Sequence, residues 1–341
     1  MHAIALFWTM QLVVFTSMVV VLLSLPLVSL ADEEVDDRKW NIGRQALQNH
    51  LVRAKYANTL EPHRKQFVMR RSSNNGLLSC DKDEIGGRSL DRLPKIIGGS
   101  FVNLTDDRYP YFASLDLGAC GGALISPSFV VTAAHCNGTS FVVVGVQDLI
   151  EAFFFEDLIA VEREVIHPLY GEGFFENDIM LLKLETPSDQ PYIRLNFDED
   201  VPDVDERLTV VGFGDTEPLK LVQEFSLILK EVELGYISPM DCDLAYGYDL
   251  IQEHMMCTTT TDNKAPCQGD SGGPLILKGN SSEEDILVGT VSWADGCADP
   301  RFPDVYSRIS YFASWIVEQV CELSPDDAPE YMGCNATIGV P

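Results

Sequence analysis

The chain has 341 residues, 46% of them hydrophobic, which is enough for one large domain with extensions or for two domains. Its 52 Asp/Glu against 24 Lys/Arg leave a net charge of −28, which repels a phosphate backbone and excludes nucleic acid as a partner. Nine cysteines without CxxC or CxxxH spacing point to disulfides in an oxidising compartment and away from zinc.

Residues 3–30 are almost wholly apolar and end at Val28-Ser29-Leu30-Ala31, just before Asp32-Glu33-Glu34. Pro26 and the small-residue exit predict a signal peptide over residues 1–31, with a retained signal anchor as the alternative. Residues 32–95 read as a propeptide holding 13 Lys/Arg against 10 Asp/Glu, whereas residues 96–341 hold 11 against 42. Within that segment Leu47 and Leu51 lie four apart and predict a short helix over 45–52, and the run at 72–76 is a linker. No repeat and no low-complexity tract interrupts the chain.

From Ile96 onward short β-branched runs alternate with Gly, Pro and Asp turns. Phe129-Val130-Val131-Thr132, Phe141-Val142-Val143-Val144 and Leu208-Thr209-Val210-Val211 are examples, and many such strands predict barrels or a sandwich. Residues 310–320 break the pattern. Tyr311, Phe312, Trp315, Ile316 and Val320 recur at helical spacing and predict a core-packing helix with Ser310 as N-cap. Beyond Cys321, Pro325, Asp326, Asp327 and Pro329 predict an exposed tail over 322–341.

Three strings carry chemistry. Thr132-Ala133-Ala134-His135-Cys136, Asn177-Asp178-Ile179 and Gly269-Asp270-Ser271-Gly272-Gly273-Pro274 present His, Asp and Ser in that order. A serine hydroxyl is a poor nucleophile at neutral pH unless an imidazole takes its proton and an acid fixes that imidazole's tautomer. Singly, such strings are a glycine-rich turn or a buried core histidine. Together they point to a serine endopeptidase.

On these strings, and on Ile96-Ile97-Gly98-Gly99, Cys120-Gly121-Gly122, Val211-Gly212-Phe213-Gly214 and Val291-Ser292-Trp293, residues 96–321 resemble the trypsin/chymotrypsin-like serine protease family. The resemblance implies an all-β, chymotrypsin-like fold: two packed six-stranded antiparallel β-barrels, the catalytic cleft between them, and a C-terminal α-helix. It makes Ser271 the nucleophile, His135 the general base and then acid, Asp178 the group that orients the imidazole, and the Gly269 and Ser271 N–H groups the oxyanion hole. It also implies a zymogen. Cleavage after Lys95 would free an Ile96 amine to pair with the buried Asp270, and Lys95 implies an activator of trypsin-like specificity. Polypeptide substrates and protein inhibitors are the other partners implied, for a secreted monomer. The membrane enters only if residues 3–30 are retained.

The same resemblance pairs Cys120 with Cys136, Cys242 with Cys257 and Cys267 with Cys297. Cys80, Cys321 and Cys334 remain. Either the last two close a C-terminal loop or Cys80 bridges propeptide and body, and the sequence leaves this open. Asn103, Asn137, Asn280 and Asn335 head glycosylation sequons. Ala265 stands where trypsins carry the pocket-floor aspartate, which departs from an ordinary trypsin. Asp304 falls on the opposite wall, where trypsins have glycine, as in some collagenolytic and broad-specificity members. With Ser292, Trp293 and Ala294 it completes the substrate-binding set, and it predicts a basic or mixed P1 preference. The alternative at that position is a carboxylate satisfied by neighbouring donors, in a pocket for apolar or mixed side chains. No cofactor is implied and no metal is expected: in the loop 145–149 Val146 replaces the glutamate of calcium-binding relatives, and calcium needs six to eight well-placed oxygens. A catalytically dead relative serving as a binding or inhibitory protein is the alternative from another class.

Overall fold

The computed structural model describes residues 99–149, 158–171, 173, 175–214, 226–247, 249–260 and 264–334. The expected signal peptide 1–31, the expected propeptide 32–95 with its helix and linker, Cys80, Lys95, Ile96 and Asn335 lie outside them.

Six strands close the first barrel: β2 (Phe112–Leu115), β3 (Cys120–Ser126), β4 (Phe129–Thr132), β5 (Phe141–Val144), β6 (Ile159–Ile166) and β7 (Met180–Leu184), hydrogen-bonded in the order β2-β3-β4-β7-β6-β5. The pairings around this ring are antiparallel. The Phe-Val-Val runs of β4 and β5 are buried throughout, because barrel interior and neighbouring elements cover both faces; β6 instead turns glutamate and arginine to solvent.

The second barrel uses β9 (Arg207–Gly212), β10 (Lys230–Ile237), β11 (Met255–Thr258), β12 (Pro274–Leu277), β13 (Ile286–Trp293) and β14 (Asp304–Arg308). These run β10-β11-β14-β13-β12-β9, and the β9–β10 pairing closes the ring. The expectation of two six-stranded antiparallel barrels therefore holds. Two short strands join from outside: β1 (Ser100–Phe101) pairs with β10, and β8 (Arg194–Leu195) runs parallel to β13. Helix α1 (Pro239–Tyr246) leads into β11, and α2 (Ile309–Leu323) follows β14.

The first and last described elements are exchanged between barrels. The first described strand, β1, belongs to the second barrel's sheet. The last helix, α2, buries Ile309, Phe312, Ile316 and Val320 in the same cluster as Phe129, Val130 and Leu182 of the first barrel. His167, just past β6, meets the rings of Phe312 and Trp315 edge-on at 5.2 and 4.9 Å.

Two local expectations do not hold. Arg308, not Ser310, occupies the N-cap of α2 and makes no side-chain cap bond. Ser310 sits inside the first turn and accepts a 3.1 Å bond from Arg308 Nε. Residues 322–334 are also not an exposed extension. Two 3-10 turns (Pro325–Asp327 and Glu330–Met332) bring Met332 into the core, Ser128 donates to Asp327 at 2.6 Å, and Cys334 is bonded to Cys321.

A polar clasp reinforces the contact between barrels. Asp285, between β12 and β13, is wholly buried and accepts from Arg108 Nη2 at 2.8 Å, from Gly279 N at 2.8 Å and from the Tyr111 hydroxyl. Beside it the Tyr109 hydroxyl and Lys278 both donate to Glu231. Arg108, Tyr109 and Tyr111 come from the segment entering the first barrel, whereas both carboxylates belong to the second. Burial, then the Asp285 charge, pushes the Tyr111 phenol far above its usual range, and the hydrogen bond to Asp285 raises Arg108 further. Removing one partner of a buried pair strands the other charge. Arg108→Leu should cost roughly 3–5 kcal/mol, read as a lowered denaturation midpoint, whereas an unchanged midpoint would deny the clasp its role.

Candidate active site

Each candidate side chain sits where a strand has just ended or is about to begin. His135 lies in a 3-10 turn (Ala134–Cys136) that follows β4. Asp178 precedes β7, and Asn177 before it takes φ +50°, a left-handed conformation that asparagine tolerates. The Asn177 amide donates to Leu169 O at 3.3 Å, and Asn177 O accepts from Ile179 N at 2.8 Å. That turn aims the Asp178 carboxylate inward, where it is 1% exposed.

The carboxylate is well satisfied. Asp178 Oδ1 accepts from His135 N at 3.0 Å, and Oδ2 lies 2.8 Å from His135 Nδ1. The Ser292 hydroxyl donates to Oδ2 at 2.5 Å, and Ser307 Oγ donates to the Asp178 carbonyl at 2.7 Å. With Nδ1 turned to an anion, the imidazole carries its proton there and leaves Nε2 as the basic nitrogen. Phe175 packs edge-on against the ring at 5.8 Å.

The serine comes from the other barrel, in the loop before β12. Its carbonyl accepts from Gly121 N at 2.8 Å, and Thr132 Oγ1 donates to Gly121 O at 2.8 Å, so the loop is tied to the strands that lead to His135. Gly272 follows at φ +72°. A Cβ there would lie 2.0 Å from Thr132 Oγ1, so only glycine lets the two loops approach this closely. Gly269, at φ +95°, makes the turn on the other side. Asp270, Gly272 and Gly273 each donate their N–H to a protein carbonyl, and no such bond from Gly269 or Ser271 is found among the described residues. Two amides flanking one hydroxyl can receive a developing oxyanion.

Asp270 is wholly buried and accepts from Gly214 N at 2.8 Å and Cys267 N at 2.9 Å. A Cβ at Gly212 or Gly214 would lie 2.0 or 2.1 Å from its oxygens, which accounts for both glycines of Val211-Gly212-Phe213-Gly214.

Around the expected pocket, Cys267 is bonded to Cys297, Cys242 to Cys257, and Cys120 to Cys136. Cys120, His135 and Cys136 cluster within ligand distance of one another, but the shared disulfide removes the thiolates that a metal would need. Ala265 is buried and Ala294 exposed. The Trp293 ring lies 4.8 Å from that of Tyr246, which stacks on Phe302 at 5.4 Å. Asp304 opens β14, paired in register with Thr258, and is 2% exposed with no hydrogen-bond donor to either oxygen among the described residues. The neighbouring donors expected in the alternative reading are not found among them. Burial, then the charge of Asp270, pushes its carboxyl well above the ordinary range. Asn103, Asn137 and Asn280 are exposed.

The trypsin family model matches residues 96–316. The chain belongs to the trypsin-like serine protease family. It is a serine endopeptidase acting on polypeptides. Among similar proteins, a trypsin of Phaedon cochleariae is 33% identical over 66% of this chain and 88% of its own length. Transmembrane protease serine 5 of Homo sapiens is 32% identical over 70% of this chain, which spans only 54% of that larger protein. The structure of neuropsin, a serine protease of mouse brain, superposes with a TM-score of 0.58 at 29% identity, over 65% of this chain and 98% of its own.

Two contacts of this protease went unread in its sequence. Ser292, expected only among the substrate-binding residues, turns its hydroxyl to Asp178, and Ser307 supports the same residue from β14. The signal for Ser292 was present in Val291-Ser292-Trp293, whereas nothing local marks Ser307. A hydrogen bond to a charged group is worth about 1.5–3 kcal/mol, so Ser292→Ala should lower kcat roughly tenfold or more with KM nearly unchanged. A kcat equal to that of the parent enzyme would show that the bond does not orient Asp178.

Proposed function

We propose that the protein is a secreted, monomeric endopeptidase made as a zymogen, with Ser271, His135 and Asp178 as its catalytic triad. The observation that carries this reading is the buried Asp178 carboxylate bonded to His135 Nδ1, beside a serine loop tied to the histidine's own strands. His135 Nε2 takes the Ser271 proton as Oγ attacks the scissile carbonyl, and the new oxyanion is received by Gly269 N–H and Ser271 N–H. His135 then returns the proton to the leaving amine. Water repeats the sequence on the acyl-enzyme and frees the acid product. Asp178 holds the imidazole in place and stabilises the imidazolium formed in each half-reaction.

Activation follows from Asp270. A trypsin-like enzyme cuts after Lys95, and the freed Ile96 ammonium turns inward to this buried carboxylate. A charge pair there offsets the desolvation of both groups and orders the loop that carries Gly269 and Ser271. Trypsin treatment of the purified precursor should raise peptidase activity and yield an Ile96 N-terminus. In the same preparation Ser271→Ala should remain folded, show no acyl-enzyme burst and fail to react with a fluorophosphonate probe. Undiminished hydrolysis by that variant would exclude Ser271 as nucleophile.

Asp304 sets the P1 preference as basic or mixed. Ala265 brings no charge to the pocket floor, so Arg or Lys has to find its counter-ion at Asp304, displaced from the position trypsins use. Asp304→Gly should abolish cleavage after Arg while sparing cleavage after Leu or Phe; persistence of Arg cleavage would remove Asp304 from specificity. An oxidising, extracellular site of action fits the four disulfides. Protein inhibitors of the cleft complete the expected partners.

A further inference from the structure

Asp304 is an unusual group to bury. A carboxylate removed from water is tolerated when donors or a cation compensate it, and otherwise it takes up a proton. Neither oxygen of Asp304 has a donor among the described residues. The polar groups nearest in register satisfy each other instead: Thr258 Oγ1 and the Tyr306 hydroxyl are 2.9 Å apart. Strands β11 and β13, which flank β14, contribute Met-Met-Cys-Thr and Ile-Leu-Val-Gly-Thr-Val-Ser-Trp, with the cysteine held in a disulfide, so they bring no ionisable group.

The titratable groups that Asp304 does feel are Asp270 from the serine loop, Tyr306 on its own strand and Tyr246 on α1. None of them is a cation; in the activated enzyme the Ile96 ammonium proposed above pairs with Asp270 and offsets that charge, which leaves burial as the main cause at Asp304. Two backbone amides satisfy the Asp270 carboxylate as an anion, so Asp304 is the member of the pair that takes up the proton. Burial, reinforced by the Asp270 charge, drives its pKa upward, and burial likewise raises both phenols.

We propose that Asp304 is a proton-gated selector of substrate class: neutral, it leaves a pocket for uncharged P1 side chains; ionised, it accepts Arg or Lys. The inference rests on the reading of Asp304 as part of the P1 pocket. An arriving guanidinium or ammonium supplies the missing charge and donors, and the carboxyl proton leaves to solvent as that side chain docks. An uncharged side chain offers no such compensation and enters against the protonated acid. The enzyme thus has two substrate classes in one pocket, weighted by pH.

The test uses the trypsin-activated enzyme and two peptides that differ only at P1, Arg against Leu. The ratio of their kcat/KM values cancels every pH dependence that the two substrates share. That ratio should fall about tenfold for each unit that pH drops, on both sides of the Asp304 pKa, because each substrate class uses only one of its protonation states. In Asp304→Asn the ratio should be low and flat. A flat ratio in the parent enzyme, together with loss of Arg cleavage in Asp304→Asn, would mean a permanently ionised Asp304: the pocket reading survives and the gate does not. Arg cleavage unaltered in Asp304→Asn would sink both. Benzamidine gives the same answer on the parent enzyme without any variant. Its inhibition constant should rise about tenfold for each unit that pH drops below the Asp304 pKa, and a value constant across the whole pH range would overturn the gate.

Discussion

One buried carboxylate holds the functional centre of this molecule together. Asp178 leaves the first barrel with 1% of its surface exposed, and its charge is met by two groups of His135 from the same barrel and by Ser292 from the other. A further hydroxyl, that of Ser307 in the second barrel, holds its carbonyl. Since an ion taken out of water must be surrounded by donors, the two barrels can close around Asp178 only in a register that presents them. Imidazole orientation and barrel docking are therefore one constraint.

The serine loop obeys the same logic from the opposite side. Gly121 N binds the Ser271 carbonyl, Thr132 binds Gly121, and the absence of a side chain at Gly272 lets these segments touch. Asp285, farther from the cleft, repeats the pattern with Arg108 and Tyr111. Polar groups buried at a seam contribute little net stability compared with an apolar packing, but they penalise every misaligned docking heavily.

Much of this was legible in the chain. The β-branched runs gave β4, β5 and most of β9, because a strand covered on both faces leaves a local apolar signature. His135, Asp178 and Ser271 stood out because tight turns around reactive groups restrict the neighbours to glycine, asparagine and small residues. What stayed hidden depends on pairing through space. Ser307 reads as an ordinary strand serine until β14 is placed beneath the Asp178 turn. Residues 322–334 carry the prolines and aspartates of a loop, yet Asp327 has a partner in Ser128, not visible at that distance in sequence, and Cys334 pairs with Cys321, one of the two pairings the sequence left open. Ser310 looked like a cap because it is a good one; β14 runs straight into α2 and leaves Arg308 at the boundary. The isolation of Asp304 could not be read either, since donors are counted only in a folded environment.

The exchange of these elements has a consequence for biosynthesis. The first barrel is incomplete when its own strands have left the ribosome: it still lacks α2 and residues 325–334, which follow the second barrel in the chain, whereas the second barrel takes β1 from the segment ahead of the first. The first barrel therefore cannot complete its core ahead of the second, although its strands are made earlier.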